Sequence, residues 1–202
     1  MNINLQKLFN MFYYSPTCWE TPEVYYNKPD NLLALMLKHN IKSIFDAGCG
    51  PRHWIADNKF LKHGIVYTGG DIAVANVKHC NQTWPSLDIQ VHDMTTDPFP
   101  AVDLIFSSDV VIHLNNEDKL KFLQNFLAST ARYLLVTHSG DSPHVMENVD
   151  VDYTAKFPFQ PVNWYLTPWK FPKEIDCLID NPPVGQKRMC LWTREQISSA
   201  LS

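Results

Sequence analysis

The stretch Ile41-Lys42-Ser43-Ile44-Phe45-Asp46-Ala47-Gly48-Cys49-Gly50-Pro51 decides how the chain is read. The apolar run from Ile41 to Phe45 predicts a short buried strand ending at Asp46. Gly48 and Gly50 follow at once, and glycine there permits positive φ and lets a ligand touch the backbone. His53 to His63 then predicts a helix. Strand, glycine turn and helix in that order open a βα unit of an open α/β sheet, whose ligands bind beyond the carboxyl ends of the strands.

The same alternation continues outward. Ile65 to Thr68 predicts a second strand ending near Asp71, and Ile72 to Cys80 a short helix. Leu87 to Val91 predicts a third strand ending near Asp93, Val102 to Phe106 a fourth, and Arg132 to Thr137 a fifth. Between the last two, a helix opens at Asn116, with Leu120, Phe122, Leu123, Phe126 and Leu127 as its apolar face. Strands alternating with helices at this spacing imply a doubly wound, mostly parallel sheet covered on both faces. Arg188 to Trp192 suits a last strand, and Thr193 with Gln196 fits a capping box for a final helix.

The ligand at the glycine turn follows from its neighbours. A dinucleotide pyrophosphate calls for Gly-x-Gly-x-x-Gly and free N–H groups at the helix start. His53 stands at the third glycine position, Pro51 offers no N–H, and Asp46 sets a negative charge close by. These features disfavour a nicotinamide-dependent oxidoreductase. A ligand with an ammonium group reverses the sign of the argument, since Asp46 welcomes it. Asp71 lies 25 residues after Asp46, and an acid at that strand end can accept both hydroxyls of a ribose. Asp93 can take an adenine amino group while Met94 packs on the ring. Surface-turn acids and ordinary core packing are the plain alternatives for these positions.

Together the segments resemble the class I S-adenosylmethionine-dependent methyltransferases, and more narrowly a group of small bacterial and viral-type members. The group pattern runs Leu-Leu-Asp-x-x-Cys-Gly-x-x-x-Trp, Tyr-x-Gly-x-Asp-Ile, Arg-Asp-Val-Leu-Val-His-Leu and Arg-Pro-Leu-Asn-Leu. This chain has Ile44 to Gly50 with Trp54, Tyr67-Thr68-Gly69-Gly70-Asp71-Ile72, Ser108-Asp109-Val110-Val111-Ile112-His113-Leu114, and Gln160-Pro161-Val162-Asn163-Trp164 with Pro168-Trp169. The likeness spans about Ile41 to Trp192. Ser108 and Gln160 replace arginines of the pattern, which puts any anion those arginines hold in doubt. The resemblance implies a seven-stranded Rossmann-like sheet with one antiparallel strand near Arg188 to Trp192. It implies S-adenosyl-L-methionine as cofactor, held by Asp46, Gly48, Cys49, Gly50, Trp54, Asp71, Ile72, Asp93, Met94 and Ser107.

The loop Ser107-Ser108-Asp109 should border the transferred methyl group. On a helix starting there, Asp109 and His113 would share one face, so the carboxylate could orient the imidazole as a base. His138, just past the fifth strand, is a second candidate base. A packing role, with the ring bonded to a backbone carbonyl, is the rival for His113. Asn163, Trp164 and Trp169 would line an acceptor pocket if their segment folds over the site.

That segment belongs to one of two flanks unlike the core. Residues Met1 to Pro29 are dense in aromatics, and Pro143 to Pro183 hold half of the 14 prolines. Proline at this density restricts the latter to loop or edge structure. The expected organisation is one domain over 1–202: an aromatic cap (1–30), a cofactor-binding core (41–137) and a proline- and aromatic-rich substrate lid (140–183).

Bulk properties narrow the acceptor. With 45% hydrophobic and 19% charged residues, the chain has a globular composition. It has no apolar run of about 18 residues for a membrane span, and Met1 to Tyr14 lacks the pattern of a secretory signal. Five scattered cysteines without Cys-x-x-Cys or metal-ligand spacing suggest free thiols in a reducing, cytoplasmic setting and no metal. A net charge of -4 with interspersed signs disfavours a long phosphate backbone as partner. The expected reaction is methyl transfer to a small molecule or sugar, to oxygen in preference to nitrogen. A non-catalytic cofactor-binding module serving a partner, or an RNA or protein methyltransferase, are the alternatives.

Overall fold

The computed structural model describes residue 6 and residues 28–51, 59–140, 145–154, 158–179 and 187–202. Its elements are α1 (Lys28–Lys38), β1 (Ser43–Ala47), α2 (Lys59–Lys62), β2 (Val66–Asp71), α3 (Val74–Thr83), β3 (Asp88–Val91), β4 (Leu104–Ser107), a 3₁₀ turn (Val111–His113), α4 (Asn116–Ala128), β5 (Tyr133–His138), β6 (Asp176–Ile179), β7 (Arg188–Thr193) and α5 (Arg194–Ala200). They build a seven-stranded sheet in the order β3-β2-β1-β4-β5-β7-β6. Along that order the strands from β3 through β2, β1 and β4 to β5 pair in parallel, whereas β7 runs antiparallel to both β5 and β6. This is the mostly parallel, Rossmann-like sheet expected, with Arg188–Thr193 as its antiparallel strand.

The central strands carry apolar residues on both faces because both are covered. Successive side chains point to opposite faces, and the core divides accordingly. Phe45, Ile105, Leu134, Val136 and Trp192 join the cluster under α4 and α5. Ile44, Leu104, Phe106, Leu135 and Leu191 join the cluster that also contains Leu32, Met36, Phe60 and Val77 of α1, α2 and α3. The final helix begins as its sequence dictates, with Thr193 and Gln196 closing a reciprocal capping box.

Four differences from the sequence reading matter. The third helix begins at Val74 rather than Ile72 and runs on to Thr83. Of the helix expected over 53–63, the described part is Lys59–Lys62. On α4, Phe122, Leu123 and Phe126 are buried as expected, but Leu120 is 39% exposed and Lys119 is buried in its place. The proline-rich segment contributes β6, a strand free of proline at the sheet edge, where only one side must pair.

Candidate active site

The order reversal between β1 and β4 opens the crevice at the carboxyl ends of the strands, and the glycine turn stands there. Gly48 and Gly50 both have positive φ, +82° and +57°. Gly48 and Cys49 donate their N–H groups to the Gly70 carbonyl at 2.8 and 3.0 Å, which locks the turn onto β2. A Cβ on Gly48 would strike Val110, whereas one on Gly50 would meet nothing within 4 Å. One glycine is therefore required by packing, and the other faces open space.

Three acids stand at or near the carboxyl ends of three successive strands at this rim. Asp46 is buried and accepts a hydrogen bond from the Tyr67 hydroxyl at 2.5 Å. Asp71 is buried too: its Oδ2 accepts from Gly50 N–H at 2.8 Å and its Oδ1 from Ala73 N–H at 2.7 Å. Burial pushes its carboxyl up to about 6, against the opposing effect of those two amides. Asn76 of α3 stands near the same carboxylate, its buried amide nitrogen without a hydrogen-bond partner among the described residues. Asp93 is partly exposed, and its Oδ1 accepts from the N–H and the hydroxyl of Thr95 at 2.9 and 2.6 Å. Met94 beside it is buried, its carbonyl held by Asn125 at 3.0 Å.

Of the other residues expected to hold the cofactor, Cys49 packs in the core, Ile72 is half-buried at the mouth of α3, and Trp54 lies outside the described residues. Ser107 ends β4 fully buried, and its hydroxyl finds no hydrogen-bond partner among the described residues. A buried hydroxyl without a partner is costly. The acids, the open side of Gly50 and that orphaned oxygen converge on one rim, and they fit a ligand carrying an ammonium, a diol and an amine. They do not fit a pyrophosphate.

The acceptor side is built differently from its expectation. No α-helix starts at Asp109: this residue adopts φ +60°, its N–H donates to Thr137 Oγ1 at 2.8 Å, and the 3₁₀ turn begins at Val111. Asp109 and His113 therefore do not align along a helix. The Asp109 carboxylate is instead gripped by Lys187 Nζ at 2.9 Å on both oxygens. His113 donates from Nδ1 to the Pro158 carbonyl at 2.7 Å. Burial lowers its pKa, while the Pro158 bond and then Asp109 pull it up.

His138 is fully buried between the rings of Tyr165 and Trp192, 4.4 and 5.9 Å away, and its Nδ1 accepts from Trp164 N–H at 3.3 Å. Trp164 and Trp169 are core residues, not walls of an open pocket. Trp164 stacks on Phe171 at 5.2 Å and donates its indole N–H to the Thr137 carbonyl at 2.8 Å, which satisfies it inside the protein. Asn163 is buried and tied to Asn148 and Tyr165 through backbone bonds.

Sequence reasoning missed Lys187, Thr137, Asn76 and the role of Tyr67. Lys187 lies 78 residues from Asp109, and only the insertion of β7 beside β5 brings them together. Tyr67 carried a signal in its alternation with Gly69 along β2, opposite β1.

The family model described as a methyltransferase domain matches residues 45–133, from β1 to the first residue of β5. No curated protein matches the chain. Among solved structures, the magnesium protoporphyrin IX methyltransferase of Synechocystis PCC 6803 with bound SAM is 13% identical. It has a TM-score of 0.66, covering 96% of this chain and 98% of that one. The PH0226 protein of Pyrococcus horikoshii OT3 is also 13% identical, with a TM-score of 0.63 over 91% and 97% of the two chains. The apo form of the S-adenosylmethionine-dependent methyltransferase SibL is 16% identical, with a TM-score of 0.58 over 83% and 55%. At such identities the likeness establishes a shared fold.

Proposed function

We propose that this S-adenosylmethionine-dependent methyltransferase delivers its methyl group to a hydroxyl oxygen of a small molecule or sugar, with His113 as general base. The methyltransferase-domain match across the segment that carries the rim supports the enzyme class, and the acids of the rim support the cofactor. When bound, the cofactor supplies a methyl group on a sulfonium, so that transfer also discharges a cation.

On this reading Asp46 receives the ammonium, Asp71 the ribose hydroxyls, Asp93 and Met94 the adenine, and the Ser107 hydroxyl gains the partner it lacks. The bond from His113 Nδ1 to the Pro158 carbonyl at 2.7 Å is the one a packing role also makes, and it supports the choice of oxygen only through the tautomer it fixes. A carbonyl only accepts, so Nδ1 holds the proton and Nε2 carries the lone pair. Burial, by lowering the pKa, keeps that ring neutral at pH 7. A hydroxyl acceptor must lose a proton as it attacks, and Nε2 is suited to take it and pass it to solvent. Asp109, fixed by Lys187 and Thr137, borders the same space and raises the basicity of the ring.

A radiolabelled methyl-transfer screen over sugars, hydroxylated metabolites, amines, RNA and protein tests the proposal. Label should enter a hydroxylated small molecule or sugar, and His113→Gln should abolish most of it. Labelling of RNA, protein or an amine alone would replace this reading with the corresponding alternative. Cofactor binding without transfer to any class would favour a partner-serving module.

A further inference from the structure

Asp46 does not stand alone at the end of β1. The Tyr67 hydroxyl donates to its Oδ2 at 2.5 Å, and both residues are nearly sealed from solvent, 2% and 5% exposed. An O–H···O⁻ bond of this length is the charge-assisted kind, about twice as strong as a neutral one.

The local sequence is arranged to permit it. In the parallel register Ile44 pairs with Tyr67 and Asp46 with Gly69, so all four point to one face. Gly69 puts no side chain opposite Asp46. A Cβ there would come within 3.3 Å of the Tyr67 hydroxyl and 3.0 Å of Ile89. The tyrosine ring runs along that vacant strip toward the glycine turn. Phe60 of α2 lies parallel to it, 6.1 Å away at an interplanar angle of 4°, and holds the ring in place.

We infer that Tyr67 is a positioning residue for the amino-acid end of the cofactor: it presets the carboxylate of Asp46 before the ligand arrives. The inference rests on the reading of Asp46 as the ammonium acceptor. With Oδ2 tied to the phenol, the carboxylate plane is fixed rather than free to swing, and the ligand need not order it on binding. A tyrosine present only to satisfy a buried acid would have no preference for one part of the ligand.

Calorimetry on the full chain separates these roles. S-adenosylhomocysteine carries the amino-acid end, and 5′-methylthioadenosine keeps the nucleoside and sulfur but lacks it. Tyr67→Phe retains the ring and its stack on Phe60. It should weaken S-adenosylhomocysteine by about ten-fold or more, the usual worth of a hydrogen bond to a charged group. Binding of 5′-methylthioadenosine should be unchanged, which also reports that the variant is folded. Equal loss for both ligands, or no loss for either, overturns the inference. Asp46→Asn is the control for the premise. If it spares the discrimination between the two ligands, the ammonium assignment falls and the inference with it. If Asp46→Asn is selective and Tyr67→Phe is not, only the inference falls.

Discussion

Gly48 and Val110 touch across the crevice: a Cβ on Gly48 would lie 2.4 Å from Val110 Cγ2 and 2.9 Å from Cγ1. The glycine turn is thereby fitted to the loop that leads to His113. Gly48→Ala must meet two costs. The left-handed backbone at φ +82° disfavours a Cβ by about 1–2 kcal/mol, and the overlap adds roughly 1–3 kcal/mol. Urea denaturation should show a loss of about 2–5 kcal/mol. Adding Val110→Ala should recover the overlap and leave the backbone cost. An unchanged midpoint in the single variant would contradict the contact.

Asp71 should make stability depend on pH, and cofactor affinity as well on the proposed ribose role. Its folded value of about 6 lies above the ordinary 3.8. The native state therefore binds the extra proton between those values, and stability falls as pH rises through that window. The difference corresponds to ~3 kcal/mol. Asparagine has one acceptor for the two amides of Gly50 and Ala73, and the amide left over costs about 1–3 kcal/mol. Asp71→Asn should thus stand close to the parent at pH 7 but lose the decline between pH 4 and 6. S-adenosylhomocysteine affinity should rise with pH through about 6 in the parent and stay flat in the variant, read by calorimetry across that range.

The acids of the rim were legible because βα alternation fixes where each strand runs out: Asp46, Asp71 and Asp93 all fall close to the carboxyl end of their strands. The central strands were legible for a related reason, since burial on both faces leaves unbroken apolar runs such as Leu104-Ile105-Phe106. β6 was hidden by its setting. Asp176 to Ile179 is a short edge strand close to prolines, and nothing in four residues distinguishes it from loop. The left-handed turn at Asp109 was equally hidden, because aspartate, though enriched in that conformation among non-glycine residues, adopts it only in a small minority of cases. Trp164 and Trp169 misled in the opposite way. Aromatics in a proline-rich segment suggest a binding surface, but the carbonyl of Thr137 gives one indole an internal partner. Pairings such as Lys187 with Asp109 arise from strand order alone.

Lys119 is a buried cation on α4, 1% exposed, and donates from Nζ to the Leu114 carbonyl. Burial pushes its pKa down from 10.5 to about 8, with Asp150 and Asp118 opposing. The unfolded chain holds more protons than the native state between those values, so stability should rise as pH goes from 8 to 10. The displacement corresponds to ~3 kcal/mol, at or above the ~1.5–3 kcal/mol of a hydrogen bond made by a charged group. Lys119→Met should therefore be as stable as the parent or more so at pH 7, and the rise above pH 8 should vanish. Thermal melts at pH 7, 8 and 10 decide it. A large loss at pH 7 would mean the bond to Leu114 outweighs the buried charge.

His113 gives the reaction its expected pH limb. A base works when deprotonated, so kcat/KM should hold at neutral pH and fall only below the ordinary histidine value of 6.5, because burial lowers the folded pKa. The groups facing the ring predict how variants displace that limb. Asp109 pulls the value up, so Asp109→Asn should move the limb to lower pH, all the more because Lys187 loses its counter-charge. Lys119 pulls the value down, so Lys119→Met should move the limb to higher pH. His113→Gln should remove the limb and cost roughly 10²–10⁴-fold in rate, the usual range for a general base. Calorimetry should find S-adenosylhomocysteine affinity little changed in that variant, since the ring lies on the acceptor side. Opposite displacements from Asp109 and Lys119 would be hard to obtain from a histidine that only packs. A limb that stays fixed in both variants would assign the proton transfer elsewhere.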